Sequence, residues 1–286
     1  MKLIASDLDG TLLNDRGQIS EKNAAAIKKA IDSGLYFAAA TGRSRQAASI
    51  PLREAGIHCP IISLNGAMLF NEQGELLHSI EMERESAEKV LEVCRERGMY
   101  LEFFTNKGIL SVSREHFMEV LVDIMQSAHP HLTAEDIRAH AHLRFQFEPV
   151  EFIDNYDMIF EMEDIRIYKI LAFSIDRGQL LEARKALKND THMAITSSGD
   201  INLEFNHSEA QKGIALQRLA EYLDVPLKDV VALGDNWNDV SMFQVAGLGI
   251  AMGNASDEIK KLADRTTKSN IEDGVAEVIE QILMER

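Results

Sequence analysis

The sequence predicts an α/β protein: a doubly wound parallel sheet into which a second, α+β unit is inserted. Three observations lead to this prediction. Short apolar runs alternate with amphipathic helical segments at both ends of the chain. The middle of the chain instead groups strands beside helices. The length of 286 residues suits two domains. We therefore expect a Rossmann-like core formed by residues 1–82 and 206–286, and an α+β cap domain at 83–205.

The first part of the core should alternate strands and helices. Ser20 is a suitable N-cap for a first helix, and Gly34 and Gly56 are suitable helix stops. Asn71-Glu72-Gln73-Gly74 is typical of a hairpin turn. The predicted strands are 2–6, 35–40 and 61–64, and the predicted helices are 20–33 and 44–55.

The last part of the chain resumes the alternation. Apolar residues recur at helical spacing from Ile214 to Leu223, and Pro226 ends that helix. Such alternation favours a parallel sheet covered on both faces. The predicted strands are 229–233 and 248–251, and the predicted helices are 212–223, 239–246, 256–263 and 271–284.

The inserted stretch has a different pattern. Runs of strands beside helices are typical of an α+β unit on an antiparallel sheet. The stretch from 129 to 163 shows no clear periodicity. The predicted helices are 83–97, 114–127 and 179–187, and the predicted strands are 100–104, 109–112, 168–175, 192–197 and 201–204.

Charge and composition limit the classes of function. The chain has 30 Lys and Arg against 46 Asp and Glu, a net charge of −16, whereas nucleic-acid binding needs a basic surface. No apolar run approaches the roughly 20 residues of a membrane span, and Asp7 and Asp9 interrupt the first apolar run too early for a signal peptide. Cys59 and Cys94 lie in no metal-binding spacing, which favours a reducing, cytoplasmic setting. We therefore expect a cytoplasmic protein, a monomer or small homo-oligomer, that binds neither nucleic acid nor membranes.

Carboxylates follow two of the predicted strands. Asp7 and Asp9 are two residues apart, so both side chains can face one pocket at the end of the first strand. Ligands of open α/β sheets bind at such strand ends. Two close carboxylates favour a cation, and oxygen ligands favour Mg²⁺. An ordinary Asp-x-Asp-Gly turn is the alternative, but Asp235 and Asp239 follow another predicted strand in the same way and favour the metal site.

Six motifs together resemble the haloacid dehalogenase superfamily, and specifically its Cof-type phosphatases. They occur in order and span nearly the whole core, whereas the cap is similar only in length and pattern. The motifs are Asp7-Leu-Asp-Gly-Thr-Leu-Leu13, Ala40-Thr-Gly-Arg43, Asn65-Gly-Ala67, Lys212-Gly213, Gly234-Asp-Asn-Trp-Asn-Asp239 and Ala251-Met-Gly-Asn-Ala255.

The resemblance implies roles for the acidic residues. Asp7 would be the nucleophile that forms an aspartyl-phosphate. Asp9 would protonate the leaving oxygen and later take a proton from the hydrolytic water. Mg²⁺ would be held by the Asp7 carboxylate, the Asp9 main-chain carbonyl and Asp235. Asp239 would orient Lys212 or the metal shell from behind.

The resemblance also implies a phosphate site. Lys212 would neutralise phosphate charge, and backbone amides before a helix would favour the anion. The remaining phosphate contacts would come from the Leu8 amide, Thr41, the Gly42 amide and Asn238. Arg43 and Asn65 are weaker candidates for substrate or cap contact, and Asn65-Gly66 suits a plain turn equally well.

Two further features are better interpreted as structural than as functional. Trp237, the only tryptophan, is interpreted as a packing residue in preference to one that flanks the substrate. The paired histidines of the cap are interpreted as solvated loop residues, because no cysteine or ordered carboxylate spacing supports a metal site there. They are His129, His131, His140 and His142.

The implied function is Mg²⁺-dependent hydrolysis of a small phosphorylated metabolite, of the sugar phosphate, pyridoxal phosphate or flavin mononucleotide type. Two alternatives remain open. A phosphotransferase such as a phosphomutase would use the same aspartyl-phosphate. A non-catalytic phospho-aspartate signalling module would pair an acidic Mg²⁺ site with Thr and Lys, although the large cap and Asp9 speak against it.

Overall fold

The computed structural model describes residues 1–113, 115, 118, 122, 133, 150–197 and 201–285. It divides into two compact units, Met1–Ser79 with Ala210–Arg286, and Ile80–Glu209. The domain boundaries at 82/83 and 205/206 stay a prediction of the sequence. The four cap histidines and most of the predicted helix 114–127 lie outside the described residues.

The first unit is built on an eight-stranded sheet. Numbered along the chain, its strands are β1 (Leu3–Ser6), β2 (Tyr36–Ala40), β3 (Ile61–Ser63), β4 (Met68–Phe70), β5 (Leu76–Ser79), β12 (Val230–Gly234), β13 (Leu248–Ala251) and β14 (Arg265–Thr266). Their order across the sheet is β14-β13-β12-β1-β2-β3-β4-β5. Pairing is parallel from β14 to β3, and the β4–β5 hairpin adds an antiparallel edge.

Helices cover both faces of this sheet. They are α1 (Glu21–Asp32), α2 (Arg45–Glu54), α6 (Lys212–Tyr222), α7 (Val240–Val245), α8 (Asp257–Lys260) and α9 (Gly274–Met284). Alternate strand residues enter two separate cores: Ile4 packs with residues of α1, α2 and α9, and Leu3 packs with residues of α6, α7 and α8. The predicted doubly wound α/β fold is therefore confirmed.

Local signals set the ends of several helices. The Ser20 hydroxyl accepts a hydrogen bond from the Asn23 amide at 3.0 Å, and Ser44 caps α2 in the same way. Gly34 follows α1 with φ +80°, a conformation that glycine adopts without strain. The predicted helix 256–263 is wrong in length, since α8 ends at Lys260 and the chain then turns to pair β14 with β13.

The second unit contains a six-stranded sheet in the order β10-β11-β9-β6-β7-β8. Its strands are β6 (Tyr100–Thr105), β7 (Gly108–Ser111), β8 (Val150–Phe152), β9 (Ile167–Phe173), β10 (Met193–Thr196) and β11 (Asn202–His207), and its helices are α3 (Arg84–Arg95), α4 (Asp157–Glu161) and α5 (Arg177–Leu187). Apolar residues of α3, α4 and α5 pack with this sheet around Phe103 and Ile170.

One feature of this sheet differs from the expectation. Pairing is antiparallel except between β7 and β8, which run parallel with Ile109 opposite Val150. The prediction of an antiparallel sheet is thus wrong at this edge. The strand β8 is only three residues long, too short to show a period.

Candidate active site

The site lies at the carboxyl ends of β1 and β12. These strands are parallel neighbours, with Ser6 opposite Leu233, so the residues that follow them come together. The Asp7 amide donates to the Leu233 carbonyl at 3.0 Å, and Asp235 comes directly after β12. Two chain segments more than 200 residues apart in sequence therefore place their carboxylates at one edge of the sheet.

Lys212 joins two of the carboxylates. Its Nζ donates to Asp7 Oδ1 at 2.7 Å and to Asp239 Oδ1 at 2.6 Å. The lysine begins α6 and has no exposed surface. Burial alone would lower the pKa of Lys212, but the carboxylates of Asp239 and Asp7 raise it above its usual range. The lysine therefore remains a cation inside the protein.

The Asp7 carboxylate is strongly perturbed. It is 4% exposed, and this burial raises the pKa of Asp7 well above its usual value, although Lys212 opposes the shift. The nearby carboxylates of Asp239, Asp235 and Asp9 raise the pKa further. Perturbation of this kind is common at catalytic sites, because burial and charge are arranged there for chemistry.

Asp239 holds the loop after β12 in place. While its Oδ1 accepts from Lys212, its Oδ2 accepts the backbone amides of Asp235 at 2.9 Å and Asn236 at 3.0 Å. A Cβ at Gly234 would overlap the Asp239 side chain. The glycine of the Gly-Asp motif is thus required so that Asp239 can lie against the strand end.

Asp235 is fixed from the loop that follows β1. Thr11 Oγ1 donates to Asp235 Oδ1 at 2.9 Å. Gly10 adopts φ +75°, and a Cβ there would overlap the Asp235 carboxylate. Burial, and next the charge of Asp239, raise the pKa of Asp235 from 3.8 to about 6.

Three carboxylates could hold a metal ion. Oxygen atoms of Asp7, Asp235 and Asp239 lie within 4.8 Å of one another. The carboxylate of Asp9 lies apart from this group: it is 55% exposed and accepts from Arg43 through both oxygens, at 2.7 Å from Nε and 2.5 Å from Nη2. The structure thus gives Arg43, which the sequence presented as a weaker candidate, a contact with the predicted acid–base residue.

The loop before α2 forms the next part of the site. Thr41 directly follows β2 and is 1% exposed, and its Oγ1 accepts the Arg43 amide at 3.1 Å. Gly42 lies between them, just before the N-cap of α2. Backbone amides and the helix dipole favour an anion at such a position.

Two asparagines line the site from opposite loops. Asn238 Nδ2 donates to Asn65 Oδ1 at 3.2 Å, and both residues are buried. Asn238 Oδ1 is also buried, and no described residue donates to it. Asn65 adopts φ +59° and Gly66 φ +101°, where a Cβ would overlap the Gln211 carbonyl. This turn therefore packs closely against the start of α6.

Some expectations change and some site residues were not predicted. Leu8 lies between Asp7 and Asp9 in the sequence and its side chain is fully buried, so only its backbone can contact a ligand. Trp237 is 53% exposed, and its interpretation as a packing residue is wrong. Thr11 and Asn254 were given no role, although both belong to the motifs; Asn254 Nδ2 donates to the Gly10 carbonyl at 2.8 Å.

Comparison with known proteins identifies the family. The sequence model for haloacid dehalogenase-like hydrolases matches residues 4–279. This chain belongs to the haloacid dehalogenase-like hydrolase family. Phosphatase YwpJ of Bacillus subtilis (strain 168) is 34% identical over 285 residues, which cover 99% of this chain and 100% of the relative. The 5-amino-6-(5-phospho-D-ribitylamino)uracil phosphatase YwtE of the same organism is 37% identical over 284 residues, 99% of this chain and 98% of the relative.

Solved structures agree with this assignment. A haloacid dehalogenase-like hydrolase from B. subtilis has a TM-score of 0.90 at 34% identity, covering 99% of this chain and 100% of that one. A haloacid dehalogenase-like hydrolase from Bacteroides thetaiotaomicron has a TM-score of 0.77 at 26% identity, covering 98% and 99%. The resemblance and the prediction of a phosphoric monoester hydrolase are confirmed at this level. No helix among the described residues is long and apolar enough to cross a bilayer.

Proposed function

We propose that this hydrolase is a Mg²⁺-dependent phosphatase that removes phosphate from small monoesters through an aspartyl-phosphate on Asp7. The observation that supports this most is the fully buried Lys212, whose Nζ lies 2.7 Å from Asp7 and 2.6 Å from Asp239. A lysine held in this way orients one carboxylate oxygen of Asp7 and supplies positive charge where a phosphate dianion must arrive.

The charges of the site favour a divalent cation. Four carboxylates are present, those of Asp7, Asp9, Asp235 and Asp239, against two cations, Lys212 and Arg43. One divalent ion would balance the difference. Hard oxygen donors favour Mg²⁺, which keeps several of its own waters. Asn238 Oδ1 is buried and accepts no hydrogen bond from the described residues, so it can accept one from a water of such a hydrated ion.

We propose that the Asp7 carboxylate, the Asp9 main-chain carbonyl and Asp235 hold the ion, with Asp239 supporting Asp235 and Lys212. When bound, the ion would offset the repulsion between the anionic nucleophile and the phosphate. Burial and the neighbouring carboxylates raise the pKa values of Asp7 and Asp235, and a bound cation would favour their ionised forms.

The reaction then proceeds in two steps. Asp7 attacks phosphorus while the bond to the ester oxygen breaks, and Asp9 gives that oxygen a proton. Asp9 next takes a proton from a water molecule that attacks the phosphorus, which breaks the bond to Asp7 and releases inorganic phosphate. Arg43 donates to both oxygens of Asp9 and so fixes the orientation of this carboxylate; one oxygen leaves the guanidinium when Asp9 transfers a proton.

The remaining residues bind the phosphate. The Leu8 amide, the Thr41 hydroxyl, the Gly42 amide and the Asn238 side chain are proposed to donate to its oxygens together with Lys212. The position of Thr41 and Gly42 before α2 supports this, because the helix N-terminus favours negative charge. Arg43 and Asn65 are proposed to lie at the edge of the bound substrate.

The substrate is proposed to be a sugar phosphate, pyridoxal phosphate or flavin mononucleotide type of metabolite. The relative that acts on 5-amino-6-(5-phospho-D-ribitylamino)uracil supports the last class, because that compound and flavin mononucleotide both carry a phosphorylated ribityl chain. We also propose a cytoplasmic monomer or small homo-oligomer without nucleic-acid partners, supported by the free, buried Cys59 and Cys94 and the net charge of −16.

Asp7→Asn tests the nucleophile. We expect this variant to lose turnover of p-nitrophenyl phosphate by a factor of at least about 10³ while its circular dichroism spectrum remains that of the wild type. Asp32→Asn, at an exposed position of α1, is the matched control and should keep full activity. Wild-type turnover in Asp7→Asn would exclude Asp7 as the nucleophile.

A panel of phosphorylated metabolites separates the alternatives. Release of inorganic phosphate in proportion to substrate consumed supports the phosphatase. Formation of an isomeric phosphate ester without phosphate release would instead identify a phosphomutase. Accumulation of a stable phospho-aspartate without turnover would identify a signalling module.

A further inference from the structure

A pair of asparagines outside the acidic group fastens the loop that follows β1. Asn254 lies in the Ala-Met-Gly-Asn-Ala run after β13; its Nδ2 donates to the Gly10 carbonyl at 2.8 Å. Its Oδ1 accepts the Asn270 amide at 3.0 Å, and Asn270 Nδ2 donates to the Leu13 carbonyl at 2.9 Å. The loop that carries Asp7 and Asp9 is thus held at two backbone carbonyls by one connected set of hydrogen bonds.

The first of these carbonyls belongs to Gly10, whose backbone lies close to the Asp235 carboxylate. Gly10 adopts φ +75°, and its Cα lies so close to Asp235 that a Cβ would overlap the carboxylate. The next residue, Thr11, donates its hydroxyl to Asp235 at 2.9 Å. A hydrogen bond to the Gly10 carbonyl holds the plane of the peptide between Gly10 and Thr11. If that plane rotated, the Thr11 hydroxyl and the contact with Asp235 would move with it.

We infer that Asn254 is a positioning residue for the metal site: through the Gly10 carbonyl it keeps the loop from Asp7 to Thr11 in register with Asp235. This inference rests on the proposed function, since it concerns how the Asp7 and Asp235 carboxylates are held for one divalent ion. Within the described part of the chain, the Asn254 side chain forms hydrogen bonds with Gly10 and Asn270 and with none of the site carboxylates. Its effect is therefore on the spacing of the metal ligands and not on the phosphate directly.

The test is Asn254→Ala, measured by calorimetric titration of Mg²⁺ and by steady-state kinetics at varied Mg²⁺. Asn254 is exposed, so the substitution leaves the core packing in place. We expect Mg²⁺ affinity to fall roughly three- to tenfold, the effect of losing one neutral hydrogen bond. At saturating Mg²⁺ the KM for the ester should change less than about twofold. A merely structural role would lower thermal stability and leave Mg²⁺ affinity unchanged.

Asn71→Ala is the matched control. Asn71 also makes two side-chain hydrogen bonds within the first unit, accepting the Glu75 amide at 2.8 Å and donating to Glu75 Oε2 at 2.7 Å. It lies in the β4–β5 hairpin, away from the loop after β1. This variant should lose stability without any change in Mg²⁺ affinity. Asn270→Ala, which removes only the bond to Leu13, should weaken Mg²⁺ binding less than Asn254→Ala does.

The outcomes distinguish failure of the proposed function from failure of the positioning role of Asn254. If wild-type protein neither binds Mg²⁺ nor hydrolyses esters, the proposed function fails. If wild-type protein does both, two results would show that the positioning role is wrong. One is an Asn254→Ala variant whose Mg²⁺ affinity stays within twofold of wild type. The other is an Asn71→Ala variant whose Mg²⁺ affinity falls as much as that of Asn254→Ala. Should Asn254→Ala not fold, Asn254→Ser, whose shorter side chain cannot reach the carbonyl, is measured in the same way with the same expected loss.

Discussion

Replacing Asp235 with asparagine should stabilise the metal-free protein while removing its activity. The carboxylate is held between the Thr11 hydroxyl and the backbone of Gly10, and its pKa is raised from 3.8 to about 6, first by burial and next by the charge of Asp239. Asparagine keeps an oxygen that can accept from Thr11 but carries no charge. The substitution therefore removes the cost of ionising Asp235 in the folded state.

The size of the stabilisation and its dependence on pH follow from the raised pKa of Asp235. A rise from 3.8 to about 6 corresponds to about 3 kcal/mol. Because the folded-state pKa is the higher one, folding is favoured while the carboxyl is protonated, and this advantage is lost as pH rises through 6. Asp235→Asn should thus raise the free energy of unfolding by up to about 3 kcal/mol at pH 8 and by little at pH 4. For a domain of this size the gain in Tm is roughly 6–12 °C.

The assay is thermal unfolding in EDTA at pH 4 and pH 8, repeated with Mg²⁺. Wild-type protein should gain stability from Mg²⁺ at pH 8 through mass action, whereas Asp235→Asn should gain little. The exposed Asp32→Asn variant is the control for removal of a charge. A metal-free Asp235→Asn protein that is no more stable than wild type at pH 8, or equally stabilised at both pH values, would refute the reasoning.

Three further predictions concern the same site. Gly234→Ala should lower the free energy of unfolding by about 2 kcal/mol or more in denaturant titrations, because its Cβ would overlap Asp239; wild-type stability would contradict this. Arg43→Lys should lower kcat roughly tenfold in steady-state assays, because an ammonium cannot contact both oxygens of Asp9 as the guanidinium does. An unchanged kcat would show that this contact does not contribute to catalysis. EDTA should abolish phosphate release and Mg²⁺ should restore it; full activity of metal-free protein would exclude a metal role.

The centre of the fold and of the site could be predicted because they depend on strong local signals. Apart from Ser6 at the end of β1, β1 and β12 consist of apolar residues and glycine; both are buried along their whole length, and each is followed by an aspartate. Residues that follow parallel strands meet at one edge of the sheet. The neighbourhood of Asp7 and Asp235 could therefore be expected without any knowledge of the side-chain contacts.

Contacts between loops could not be predicted in this way. The pairing of Asp9 with Arg43 and the hydrogen bond from Asn254 to Gly10 join segments that no periodic pattern relates. Both depend on the path of a loop and the direction of a side chain, which hydrophobic spacing does not encode. The exposure of Trp237 is of the same kind, because large aromatic residues are usually buried and only the position of its turn places this one at the surface.

Short elements were missed for another reason. β8 has three residues and α4 has five. Neither element is long enough to show a clear repeat of an amphipathic pattern. Their place in the second unit depends on tertiary contacts, such as the parallel pairing of β8 with β7. Local propensity is weak over so few residues, and long-range packing decides the outcome.

The central position of β1, between β2 and β12, has a consequence for synthesis of the protein. A nascent chain emerges with β1 paired on one side only, and its second neighbour is translated more than 200 residues later. Until then the strand edge that will carry the nucleophile is open to wrong partners. We expect ribosome-bound chains that stop before β12 to be protease-sensitive near residue 7, and the released full-length protein to be resistant there.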